Sequence, residues 1–168
     1  SNTLDAPKNA FLNMHGRIIP TFEQRRLSDD EFLLVIATKA VDAVKCHMDR
    51  YLKLNRSTLT ETSRKVYFDL ESNDHILITD KDYPADISEH EFTLYRLEHN
   101  IPLHTIDYHD EMLLNVDEHD FVSFTKGCFL GQEMVAKVHN RSKPSWVLKV
   151  KYQDELSPQD QTKMTSTV

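Results

Sequence analysis

Apolar positions along the chain alternate in some stretches and recur at helical spacing in others. From Phe11 to Thr38 the alternation reads as a β-hairpin. Gly16 opens it, Arg17 to Leu27 forms one arm, and Ser28-Asp29-Asp30 supplies the turn chemistry. Glu31 to Ala37 carries an unbroken apolar run, which predicts a buried returning strand. Pro20 cannot donate to a ladder, so the first arm is predicted to be bulged or to lie at an edge. Thr38 reads as an N-cap, because Val41, Val44, Met48, Tyr51 and Leu52 then repeat at helical spacing over about four turns. Cys46 lies beside that stripe as a structural helix thiol.

Lys65–Leu70 and His75–Thr79 are strand-like runs separated by a Ser-Asn-Asp turn. Asp80 to Ile87 holds Pro84 and no apolar period, so it reads as a linker. Ser88-Glu-His-Glu91 matches a capping box and predicts a second helix to about His99, ended by Asn100 and Pro102. On that helix Tyr95 and Glu98 share a face and Arg96 is adjacent in sequence. Residues 103–120 are acidic and rich in histidine, Ser123 to Gly131 is a loop, and Gln132 to about His139 is a short helix broken by Asn140 to Pro144. Trp146 to Tyr152 alternates like a strand, and the tail from Gln153 is polar. Hairpins that alternate with single amphipathic helices predict an α+β fold of antiparallel sheets with packed helices. Three parts are expected: residues 1–83, residues 84–144, and residues 145–168 as the start of a barrel-like domain.

Composition narrows the function classes. The 168 residues suffice for one sizeable domain or two small ones. A net charge of −7 lacks the basic face that general nucleic-acid binding needs, and no apolar run reaches membrane-spanning length. Neither nucleic acid nor membrane is therefore expected as a partner. The two cysteines, Cys46 and Cys128, lie far apart and form no CxxC pattern, which favours a reducing, cytoplasmic compartment (the mitochondrial matrix in a eukaryote).

His104, Asp107, His109, Glu111 and His119 invite a metal reading, but their spacing matches no zinc pattern and an acidic loop is commonly a solvated face, so no metal site is expected. With nine histidines, proximity of some histidine to a cysteine carries little information. Val122 to Glu133, VSFTKGCFLGQE, is more specific. It places two of the chain's three glycines, Gly127 and Gly131, within five positions, with Cys128 between them. Paired glycines mark a tight turn or a close backbone approach. A thiol beside Lys126 at a helix entry is where a lowered thiol pKa is expected, which suits attack on an electrophile, ligation of a soft metal or redox exchange; the plain structural alternative is a buried small residue in a tight turn.

KGCFLGQE resembles the K-G-C-F/Y-x-G-Q-E signature of the YgfZ-type folate-binding proteins, relatives of the glycine-cleavage T protein that include iron–sulfur assembly factors. Further matches run in order through the chain. Ser1-Asn2-Thr3-Leu4 is similar to the family's T-N-D-L region, and Phe11 to Ile19 (FLNMHGRII) to its F-L-x-x-x-G-R-I segment. Asp49-Arg-Tyr51 fits a helix end that reads K-R-Y, Arg96 to Pro102 resembles R-I-E-x-G-I-P, and Asp110-Glu111 falls where P-x-E sits. Asn100 replaces the glycine of G-I-P, and His109 stands where a proline is expected.

The resemblance implies an aminomethyltransferase-like folate-binding fold, truncated at or missing its C-terminal β-barrel, with a preceding strand region absent and the segment between residues 70 and 90 short. It implies tetrahydrofolate as cofactor, iron–sulfur client or assembly proteins as partners, and a link to tRNA modification. Cys128 becomes the functional thiol and Lys126 its electrostatic tuner. Glu98 and Arg96, with Gly127, Gly131, Gln132 and Glu133, become candidates for holding the cofactor; Arg96 would pair with Glu98 or with the folate glutamate tail. The G-V-I-D-D-L segment of the glycine-cleavage relatives reads Arg17 to Phe22 here, and its two acids become Pro20 and Thr21. Neither can act as a carboxylate, so aminomethyl transfer is not expected. The remaining alternatives are an active one-carbon transferase and a non-catalytic scaffold.

Overall fold

The computed structural model describes residues 3–71, 76–116, 120–141, 143–144, 146–161 and 164–167. The Ser72-Asn73-Asp74 turn, His75, His119, and Ser1 and Asn2 of the family match lie outside the described residues. The chain is α+β, with two small antiparallel sheets and several helices.

The first sheet contains β1 (Lys8–Leu12), β2 (Ile18–Arg26) and β3 (Phe32–Ile36), with β2 in the middle. The β2–β3 hairpin forms as the alternation predicts, Phe22–Arg26 running opposite Phe32–Ile36. Strand β1 is additional, and pairs with β2 across the Asn13–Gly16 turn. Its register slips between Ala10↔Thr21 and Leu12↔Ile18. Pro20 lies inside that slip and ahead of the β2–β3 pairing, so its missing N–H breaks no ladder bond and the expected bulge is present. The expectation that β3 is buried is corrected: all five of its residues are half-buried, because β3 is an edge strand.

Helix α1 spans Val41–Asn55 and ends at Arg56, which adopts a left-handed φ of 53°. Thr38 is not its N-cap; a 3-10 turn over Thr38–Ala40 intervenes, and Ala40 precedes the helix without a side-chain cap. Of the predicted stripe Val44 is buried, while Tyr51 is exposed. Cys46 is exposed on this helix. A second sheet pairs β4 (Lys65–Phe68) with β5 (Ile76–Thr79). Arg25 Nη2 donates to the Ile76 carbonyl at 2.9 Å and ties the two sheets together.

Residues 80–87 carry neither helix nor strand. Helix α2 (Glu89–Glu98) begins with the capping box the sequence announces: Glu91 N–H donates to Ser88 Oγ, and Ser88 N–H donates to the Glu91 carboxylate. Asn100 then takes a left-handed φ of 50°, a conformation that glycine and asparagine tolerate best. Helix α3 (Leu113–Val116) is a single buried turn, and α4 spans Gln132–Arg141. The predicted strand Trp146–Tyr152 does not form; no strand pairs with it among the described residues, and Leu148 N–H instead donates to the Asn115 carbonyl at 2.8 Å. Residues from Gln153 form a 3-10 turn and a short helix, α5 (Pro158–Gln161).

The core gathers Ala10 and Leu12 of β1, Ile18 of β2, Tyr108, the three apolar residues of α3, Val122 and Val135 of α4. It therefore draws on both sides of the 80–87 segment. No helix among the described residues is long and apolar enough to cross a membrane.

Candidate functional site

The signature stretch packs on the first hairpin through two glycines. Asn13 Oδ1 accepts from the N–H groups of His15 and Arg17, and Gly16, at φ 74°, closes the turn. Gly131 opens α4 at φ 82° and is buried against that turn. A Cβ on Gly131 would stand 2.5 Å from the Asn13 carbonyl oxygen and 2.9 Å from Gly16 Cα. The close backbone approach expected of a paired glycine is thus made by Gly131. Gly127 has open space around its Cβ position and no positive φ.

The loop between is pinned at both ends. Val122 is buried, and Phe129 packs against the core. Gln132 folds back so that its Oε1 accepts from Phe129 N–H at 3.3 Å. Phe124 stacks on His139 of α4 with ring centroids 4.0 Å apart. Cys128 sits between these anchors as a free, exposed thiol, so the reading of a buried small residue is corrected. Lys126 is half-buried with Nζ 5.0 Å from the Phe129 ring centroid, and burial pushes its pKa below the ordinary lysine value. Glu133 is exposed on the first turn of α4.

Arg96 and Glu98 lie elsewhere in the fold. Arg96 is 4% exposed and does not pair with Glu98; its Nη1 donates to Asp107 Oδ2 at 2.8 Å and to the Ile101 carbonyl. Asp107 also accepts from Leu103 N–H, Thr165 Oγ1 and Ser166 Oγ, so the buried pair is saturated with hydrogen bonds. Glu98 is exposed. No hydrogen bond or ion pair joins Arg96 or Glu98 to residues 126–133 among the described residues.

Where the resemblance sets two acids, Pro20 is fully buried and Thr21 Oγ1 shares a 2.5 Å hydrogen bond with Tyr108 OH. His104 is half-buried with its ring 5.4 Å from that of Tyr108, and burial together with His109 lowers its pKa. Among the described residues no three His, Cys, Asp or Glu side chains come together as a metal-binding group. The sequence pattern raised Asp107 only within a metal reading that it set aside, and missed it as the partner of Arg96, a pairing that depends on the fold. No family model, curated protein or solved structure matches this chain.

Proposed function

We propose that the chain is a YgfZ-type, folate-binding accessory protein with an aminomethyltransferase-like fold that supports assembly or repair of iron–sulfur clusters in client enzymes through the Cys128 thiol. The observation that carries this reading is the contact between its two strongest family-like segments. The FLNMHGRII and KGCFLGQE stretches meet backbone to backbone at Gly16 and Gly131, and the loop so anchored exposes Cys128. The left-handed Asn100, in place of a family glycine, is a further consistent detail.

The residues present fit part of what a reduced folate requires. Glu98 is an exposed carboxylate able to accept from the amino and ring N–H groups of a pterin. Arg96 is engaged on Asp107 and Ser166, so its part is to brace the loop beneath that helix rather than to hold the glutamate tail. Transfer chemistry is not supported, because the position of the paired acids holds a proline and a threonine bonded to Tyr108. The folate, when bound, supplies a one-carbon carrier; this chain supplies its recognition and a solvent-facing thiol.

Calorimetric titration with tetrahydrofolate tests the proposal. Saturable heat that falls about tenfold or more in affinity in Glu98→Gln supports it. No heat at saturating ligand favours a scaffold that has kept the fold and lost the ligand. Turnover with tetrahydrofolate and an aminomethyl donor would restore the transferase alternative.

A further inference from the structure

An open cleft of about 320 Å³ lies beside the β1–β2 turn, between α3, α4 and the segment that follows α4. Met112, Val138 and Pro144 give it apolar walls, and Trp146, 40% exposed, stands at its side. Arg17 and Lys143 bring two cations to the same cleft. Arg17 Nη1 donates to the Asp110 carbonyl at 2.5 Å and lies 3.9 Å from the Asp110 carboxylate, while its Nη2 and Nε have no hydrogen-bond acceptor among the described residues. Lys143, unlike Arg17, has no acidic partner among them.

Asn115 makes this more than a surface dent. It lines the cleft and is 5% exposed. Its backbone N–H donates to Met112 and its carbonyl accepts from Leu148, yet its side-chain amide has no hydrogen-bond partner among the described residues. The amide is not sealed from solvent, so it is a free donor and acceptor at the cleft. Among the lining residues two cations, Arg17 and Lys143, stand against one carboxylate, Glu111. The volume is at the small end of ligand sites. Glu111, also in the lining, opposes a highly charged ligand and accepts an N–H instead.

We propose that this cleft binds a mononucleotide-sized heteroaromatic anion. The ring lies against Trp146, the Asn115 amide meets the ring edge, and the single anionic group sits with Arg17 and Lys143. The site is separate from the Cys128 turn and does not depend on the role proposed for that thiol.

Trp146 is the only tryptophan, so stacking reads out directly as quenching of intrinsic fluorescence. The full chain is titrated with AMP, GMP, CMP and UMP, with the matching nucleosides, and with tetrahydrofolate. At least one mononucleotide is expected to quench saturably with Kd below about 1 mM, and its nucleoside to bind about tenfold more weakly. Calorimetry on Lys143→Met and Asn115→Ala is expected to show about tenfold weaker binding; Lys143 is exposed, so its variant reports even where Asn115→Ala unfolds. Absence of saturable binding by any mononucleotide, or affinity unchanged by Lys143→Met, overturns the proposal. Binding of tetrahydrofolate alone, lost in the same variants, overturns the mononucleotide assignment. Tetrahydrofolate binding untouched by these variants leaves the folate reading standing while the mononucleotide result decides this one.

Discussion

Gly131 at the start of α4 lies directly on Gly16 of the β1–β2 turn, so closely that a Cβ on Gly131 would approach Gly16 Cα to 2.9 Å and the Asn13 carbonyl oxygen to 2.5 Å. Both glycines have positive φ, so space and backbone conformation act together. Gly131→Ala is expected to destabilise the chain by about 2–4 kcal/mol, combining left-handed strain with overpacking against main chain. Gly127→Ala, four residues away in the same motif, is expected to stay within about 0.5 kcal/mol of wild type. Urea denaturation of the two variants side by side checks both; equal losses would remove the distinction.

The Arg96–Asp107 pair is a second structural prediction. Both side chains are almost fully buried, at 4% and 5% exposure. Removing one partner leaves an uncompensated buried charge, so Asp107→Ala and Arg96→Ala are each expected to cost about 3–5 kcal/mol. Exchanging both for apolar residues is expected to cost less than the sum of the single losses. A double-mutant cycle in urea measures the coupling, and strict additivity would deny that the two act as a unit.

Acid sensitivity follows from two histidines. Burial lowers the pKa of His47, and burial with repulsion from His109 lowers that of His104, both from the ordinary 6.5. The unfolded chain therefore binds these protons first as pH falls. The stability contributed by the neutral rings is complete above 6.5 and is lost as pH drops from there toward the folded values. Denaturation midpoints are expected to fall between about pH 7.5 and pH 5.5, and the His47→Phe, His104→Phe double variant to flatten that slope. A steeper slope in the variant would contradict the assignment.

What the chain's pattern reveals divides by the range of the interaction. The β2–β3 hairpin, the Ser88–Glu91 capping box and the start of α4 are written in local signals, and each forms where those signals place it. Strand β1 is not, because Lys8–Leu12 owes its extended form to pairing with β2. Nor is α3, a four-residue turn held by the core around it. Trp146–Tyr152 shows the converse: alternation alone makes no strand when no neighbour supplies a ladder. At the candidate site the glycines and the thiol are legible as a motif. Which glycine is sterically required is not, since that depends on where the Asn13–Gly16 turn comes to rest. The meeting of Arg96 with Asp107 depends likewise on the left-handed turns at Asn100 and Thr105 between them.

The Cys128 thiol is the centre of the functional account, and complementation tests it most directly. In a strain lacking the endogenous protein, the activity of an iron–sulfur enzyme is measured after expression of wild type, Cys128→Ala and Lys126→Ala at matched protein levels. Cys128 is exposed and Lys126 only half-buried, so both variants are expected to keep the wild-type denaturation midpoint within about 1 kcal/mol in stability. Wild type is expected to restore the iron–sulfur activity, and both variants to fail while remaining folded. Full restoration by Cys128→Ala would contradict the account.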